Sequence, residues 1–303
     1  MSGPRPLGSG GRGTLASVAS SLLFGGVYFV TPLLAPASAE SVWGIRTLFT
    51  VPVIAVALLV IRQWHLVTEV ARRVRRRPVL LLGILACGLL VSAQLWVFSW
   101  APLHGRGLQV ALGYFLLPLV LVVVGRFLYG ERLVWWQWGA AGVAAVGVGF
   151  ELSRVGGVSW ETLLVALGYP VYFVLRRALG IAHLGGMFWE FVALAPVAAA
   201  FFSFEVVEGS AAAANPALWW AGPLFAAASG VALMLYLAAS RLLTMSLFGL
   251  LSYLEPALLM AASMLNGERI GPDELVIYGA IWIAVLMLMA GGIARLRRSR
   301  GRP

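Results

Sequence analysis

The sequence predicts an all-α integral membrane protein of ten transmembrane helices, arranged as two inverted five-helix repeats. Three observations predict it. Apolar residues make up 61% of the 303-residue chain and charged residues 11%, against about 25% charged in a soluble domain. Mean hydropathy is +0.91. One block also occurs twice, as LGYFLLPLVLVVVGRFLYGER at 112–132 and LLSYLEPALLMAASMLNGER at 250–269. Each copy is an apolar helix with a Tyr, then a Pro, then a closing Gly-Glu-Arg. Pro118 corresponds to Pro256 and Glu131 to Glu268, with one residue of slip.

A membrane span takes roughly 20 mostly apolar residues, and the chain divides accordingly. Residues 1–13, MSGPRPLGSGGRG, read as a disordered tail. The run that follows is too long for the apolar core of a signal peptide, so it reads as the first span, at about 14–34. The remaining spans fall at about 40–61, 78–100, 107–129, 134–150, 158–178, 185–204, 216–238, 244–266 and 274–293. The fifth is short and forms a tight hairpin with the fourth through Gly130-Glu131-Arg132. Its Gly139, Gly142, Gly147 and Gly149 read as a close helix-packing face. Residues 14–150 form the first repeat, 151–293 the second, and 294–303 a basic tail.

All 22 cations are arginines, and they sit in loops and at helix ends. The net charge of +10 is therefore a topology signal, and nucleic acid is not an expected partner. With the N-terminus inside, 18 arginines fall on the cytoplasmic side and 3 (Arg106, Arg154, Arg269) on the other, with Arg46 inside a span. The positive-inside rule then places both termini in the cytoplasm of a plasma-membrane protein. The loop at 62–77 contains ARRVRRR. It reads as a stop-and-orient signal, and anionic lipid is its candidate partner.

The repeat reaches beyond the Gly-Glu-Arg blocks. VYFV occurs at 27–30 and again at 171–174, and Arg46 and Glu190 each follow their copy by 16 residues. Five spans per half is an odd number, so equivalent helices cross the membrane in opposite senses. Arg46 then enters from the outer face and Glu190 from the cytoplasmic face, one gate-like charge on each side. Secondary transporters are commonly built from such inverted repeats.

Glu40 and Arg46, Trp100-Ala101, LGYFLLPL at 112–119 with Gly130-Glu131-Arg132, Tyr172 with Arg176-Arg177, Glu190 with Pro196, and Tyr253 with Pro256 and Gly267-Glu268 together carry a specific resemblance. The chain resembles the drug/metabolite transporter superfamily with two EamA-type halves, and within it the RarD-type permeases. The match covers nearly all of the chain except its tails. The resemblance implies a plasma-membrane permease, an exporter of small metabolites or drugs. Glu255 departs from the RarD-type pattern, where an uncharged residue precedes that proline.

An ionisable residue within a span costs a few kcal/mol and is a functional candidate by default. Glu255 lies in the middle of span nine, directly before Pro256, whose missing N–H loosens the helix. It is the candidate for proton coupling, with a hydrogen-bonded structural role as the alternative. Arg46 has a planar fork that matches a carboxylate; it either holds substrate or pairs with Glu40. Glu190 either meets a substrate amine and carries protons, or satisfies Arg176 or Arg177. Tyr28, Tyr114, Tyr172, Tyr236 and Tyr253, with Trp96, are cavity candidates because each offers an apolar wall with a polar tip. Gln94 is either a cavity contact or interhelical glue. Pro118 and Pro256 are the helix-breaking pair. Glu131 and Glu268 read as caps of a following helix or partners of the neighbouring arginine.

The expected activity is secondary active export of small amphipathic metabolites, amino acids or drugs by alternating access, with protons as the coupling ion. An uncoupled facilitator or exchanger is the alternative. No phosphate-binding loop accounts for ATP drive, and no cofactor is expected. His65, His104 and His183 all lie in loops or at span ends and Cys87 is solitary in an apolar run, so no catalytic or metal constellation points to a lipid-modifying enzyme. The absence of a docking domain argues against a receptor or scaffold.

Overall fold

The computed structural model describes the backbone of residues 9–130, 134–155, 158–208, 210–243 and 251–300. Among these the chain is helical, with no strand. The helices are α1 (Ser9–Val30), α2 (Ala39–Val60), α3 (His65–Arg76), α4 (Val79–Leu103), α5 (Gly107–Tyr129), α6 (Trp135–Val155), α7 (Trp160–Ala178), α8 (Leu184–Glu208), α9 (Ser210–Ala214), α10 (Leu218–Leu242), α11 (Leu254–Leu265) and α12 (Leu275–Arg300). Six stretches, beginning at Gly11, Ala39, Val79, Gly107, Leu184 and Leu218, are long and apolar enough to cross a membrane by length and composition. Large apolar side chains such as Leu82, Leu89, Leu224 and Leu286 are exposed on the outside. Water would oppose that surface; lipid tails do not.

The pairing of helices is specific. α1 packs on α10 and α11; α7 packs on α4 and α5. α2 packs on α8 and α10, and α4 on α8. α5 meets α11, and α6 meets α12. Small residues set the closest approaches. A Cβ on Gly44 of α2 would stand 2.7 Å from the Ala198 carbonyl oxygen of α8. A backbone atom cannot swing aside, so Gly44→Val is expected to destabilise the bundle by about 1–3 kcal/mol, read as a lowered melting temperature in detergent. An unchanged melt would rule out this contact.

Several local features differ from the sequence reading. α1 starts at Ser9, within the stretch read as tail, and α12 continues to Arg300, through the basic end. The 62–77 loop contains α3, an amphipathic helix whose Val67 and Val70 are buried under α4 and α8 while Arg72, Arg75, Arg76 and Arg77 stay exposed. Of span nine, residues 244–250 lie outside the described residues; in the remainder a turn at Ser252–Tyr253 precedes α11, so Pro256 stands in a first helical turn, where its missing N–H costs little. The glycines of α6 split between two faces. Gly139 and Gly147 press on Met287 and Ala280 of α12, whereas Gly142 and Gly149 have nothing near them.

The repeated glycines have a physical reason. Gly130 and Gly267 adopt φ of 65° and 97°, a left-handed conformation that ends a helix without Cβ strain. Glu131 and Arg132 lie outside the described residues.

Candidate functional site

The site grows from α2. Ser38 caps that helix by accepting the Ser41 N–H (3.1 Å), which sets Arg46 two turns inside it. Arg46 is 3% exposed. Its Nε donates to Ser229 Oγ of α10 at 2.6 Å, and its guanidinium carbon lies 4.5 Å from the Phe98 ring centre on α4. Its Nη1 has no hydrogen-bond partner. A buried donor left unpaired costs roughly 1–3 kcal/mol, so a group from outside the protein would find its place prepared.

Near the guanidinium stand tyrosines of α5 and α7. The hydroxyls of Tyr114 (α5) and Tyr169 (α7) are 3.2 Å apart. Arg46, Tyr114, Tyr169 and Glu255 of α11 all lie in one another's electrostatic range, and Tyr236 of α10 lies in that of Glu255. Tyr114, Tyr169, Tyr236 and Glu255 are enclosed by the bundle yet retain part of their surface. Arg46 and these four part-exposed side chains form one cluster among α2, α5, α7, α10 and α11. Among the described residues the Glu255 carboxylate has no hydrogen bond and no ion pair.

The two ends of the bundle are closed differently. At the arginine-poor end, Glu161 is buried and receives Arg106 through Nε at 2.7 Å and Nη2 at 3.3 Å. That hydrogen bond to the Glu161 carboxylate raises the Arg106 guanidinium above its ordinary value. Glu268 accepts the N–H groups of both Gly107 and Leu108 at 2.8 Å, capping α5 from the segment that follows α11. A Cβ at Gly107 would collide with Ser263, Glu268 and Tyr28, so only glycine admits this cap. Asn215 Nδ2 donates to the Leu33 (3.1 Å) and Ala35 (2.9 Å) carbonyls, and Glu205 receives the Ser38 N–H (3.0 Å).

At the arginine-rich end, Glu190 is buried and both its oxygens are engaged, by Tyr172 Oη at 2.8 Å and Arg176 Nε at 2.9 Å. Arg176 also donates to the His183 carbonyl at 3.0 Å. Arg73 of α3 donates to the Leu179 and Gly180 carbonyls at 2.6 and 2.8 Å, satisfying the C-terminus of α7. His183 accepts the Gly186 N–H at 3.3 Å and so needs a neutral ring nitrogen. Burial, and then the charges of Arg176 and Arg73, lower its pKa, with Glu69 opposing.

The structure therefore groups the sequence candidates in a new way. Arg46, Tyr114, Tyr236 and Glu255 belong to the central cluster. Glu190 and Tyr172 form a separate cluster with Arg176. Trp96 donates its indole N–H to Glu40 Oε1 at 3.0 Å, so Glu40 is the partner of Trp96 and not of Arg46. Gln94 donates to the Leu164 carbonyl of α7 at 2.8 Å beside Gly168, which is glue between α4 and α7. Tyr28 and Tyr253 are 0% and 6% exposed and pack in cores. Glu268 caps a helix as expected, but that helix is α5 and not the one that follows it. Sequence reasoning missed Tyr169, Ser229, Phe98 and Glu161. A repeated Leu-Gly-Tyr, at 112–114 and 167–169, was the available sign of Tyr169.

The chain is similar to named proteins over almost its full length. It is 39% identical over 297 residues to the chloramphenicol-sensitive protein RarD of Pseudomonas aeruginosa, covering 96% of this chain and 98% of that one. It is 36% identical over 282 residues to an uncharacterized transporter of Haemophilus influenzae, covering 93% and 94%. It is 26% identical over 292 residues to protein RarD of Escherichia coli, covering 95% and 97%. A solved crystal structure shares the fold with a TM-score of 0.54 at 17% identity, over 94% of this chain and 98% of its own. No family model matches.

Proposed function

Since the chain belongs to the RarD-type transporter family, we propose that it is a secondary active exporter of small amphipathic metabolites, working by alternating access in the plasma membrane. The observation that carries this is the central cluster, in which Arg46 and Glu255, opposite in charge, form no ion pair among the described residues. Solute enters from one end, contacts Arg46, and leaves when the other end opens.

Ten crossing helices in two inverted halves supply the machinery. The pairing scheme supports this reading. Exchange each helix of the first half (α1, α2, α4, α5, α6) for its counterpart (α7, α8, α10, α11, α12). The α1–α10 pair becomes α7–α4, α1–α11 becomes α7–α5, and α2–α10 becomes α8–α4. The pairs α2–α8, α5–α11 and α6–α12 map onto themselves. Each of these pairs occurs. Residues 14–150 and 151–293 are then the two halves, and Arg46 and Glu190 are equivalent positions with different duties. Arg46 faces the solute, and Glu190 with Arg176 closes the arginine-rich end. Glu268 and Glu161 close the other. Positive-inside bias puts the arginine-rich end, and both termini, in the cytoplasm.

Glu255 is the coupling residue. Its carboxyl has no hydrogen bond or ion pair among the described residues, so a proton and a solute cation compete for it, and one displaces the other. Proteoliposomes loaded with a pH-sensitive dye test this. Solute-driven acidification or alkalinisation, abolished in Glu255→Gln, is the expected result. Solute flux that persists at full rate in Glu255→Gln, with no proton movement in either protein, would leave an uncoupled facilitator.

Anionic lipid is the partner of α3. Its exposed Arg72, Arg75, Arg76 and Arg77 face the cytoplasmic leaflet, each contributing about 1 kcal/mol to attraction. Replacing all four by glutamine is expected to remove any dependence of melting temperature on added anionic lipid. An undiminished dependence would place the lipid elsewhere.

A further inference from the structure

The arginine-rich end of the bundle is fastened at the turn between α7 and α8. The Leu179 and Gly180 carbonyls accept from Arg73 of α3. The Ile181 and His183 carbonyls accept from Arg176 Nη2 at 3.2 and 3.0 Å. Arg176 Nε in turn reaches Glu190, inside α8. The turn, the start of α8 and the Glu190 pair are therefore held as one unit.

His183 brings into this unit a side chain whose charge changes near physiological pH. It stands directly before α8, and its Nδ1 accepts the Gly186 N–H at 3.3 Å, as an N-cap side chain does. That bond needs a bare Nδ1. A second proton on the ring turns the acceptor into a donor, and the cap is lost. The same proton puts a cation at the positive end of α8, in range of Arg176 of α7 and of Arg73 and His65 of α3. The opposing charge is Glu69 of α3, which is exposed and so screened by solvent and salt. Glu190 has both oxygens committed to Tyr172 and Arg176.

The closed turn therefore favours the neutral ring. Burial first, and then the two arginines, hold the His183 pKa below its ordinary value. The support that the cap gives to closure is complete above that ordinary value, about 6.5. It is lost as pH falls through the lowered one.

We propose, resting on the transport reading, that His183 is a cytoplasmic pH switch: its protonation releases the α7–α8 turn, frees Arg176 from that turn and opens the arginine-rich end. An exporter built in this way loads solute when the cell interior turns acid.

The chain's single cysteine reports the event. Cys87 is buried in the same core cluster as Ile181, Leu184 and Met187, on either side of His183. Its reaction with N-ethylmaleimide is followed in nanodiscs from about pH 8 down to about pH 5, for the wild type and for His183→Asn. Asparagine caps a helix and does not titrate. Acid slows the maleimide reaction in both proteins, so the quantity read is the wild-type rate divided by the variant rate. The ratio is expected to lie near one at the alkaline end and to rise about 5-fold at the acid end, the shift that losing one helix cap produces. A ratio that stays level would overturn the switch.

A titration of isotope-labelled histidine rings by NMR, on the wild type alone, needs no variant to stay folded. With His65→Gln and His104→Gln used for assignment, His183 is expected to carry its proton on Nε2 and to titrate below about 6.5. A His183 that titrates at or above that value would overturn the proposal. Either failure leaves the transport reading standing, because solute-driven proton movement is measured separately.

Discussion

Arg46→Gln is expected to abolish solute transport without weakening the fold. The guanidinium is held from two sides, by Ser229 at 2.6 Å and by the Phe98 ring. A solute carboxylate would add two charge-assisted hydrogen bonds of about 1.5–3 kcal/mol each, so removing the fork is expected to cost roughly 100-fold or more in transport efficiency. The stability sign is the opposite of the usual one. Arg46 is buried with Nη1 unpaired, and glutamine removes that burden. The melting temperature is expected to stay level or rise, the trade a functional site often makes against stability. Arg46→Lys keeps the charge without the fork and is expected to fall between. A marked loss of stability in Arg46→Gln would mean that the residue is a structural pin.

Glu190→Ala has the reverse signature. Both carboxylate oxygens are engaged, and Arg176 has only 12% of its side chain exposed. Removing one partner of a buried pair strands the other, at about 3–5 kcal/mol. The expected result is a large fall in melting temperature in detergent. The double variant Arg176→Met with Glu190→Met is expected to recover most of it, because it leaves no stranded charge. The two single losses adding up in the double would show that the groups do not interact.

Much of this was visible in the chain beforehand, for identifiable reasons. Hydropathy marks spans directly, and six described stretches long and apolar enough to cross a membrane appear where apolar runs predicted them. Arg46 and Glu255 stood out because a charge in an apolar run is costly and therefore rare. Other parts were hidden. The arginines of α3 masked its apolar stripe of Val67, Val70 and Val74, although their spacing is that of one helix face. Tyr169 looked like any other aromatic in a chain with 12% aromatics. Only the tertiary pairing of α5 with α7 brings its hydroxyl to Tyr114. The pairing of Glu190 with Arg176 was one of the alternatives the sequence offered. The neighbours of Arg46, Ser229 and Phe98, were not legible, because only tertiary packing brings α4 and α10 beside α2.

The central claim is a cavity that opens to each side in turn, and access to Tyr236 tests it most directly. Tyr236→Cys in a Cys87→Ser background would be exposed to a membrane-impermeant thiol reagent in right-side-out and in inside-out vesicles. Alternating access predicts labelling from both sides. It also predicts faster labelling from the outer side when Glu268→Gln weakens the cap on Gly107 and Leu108. Labelling from one side only, unaltered by that substitution, would contradict the account.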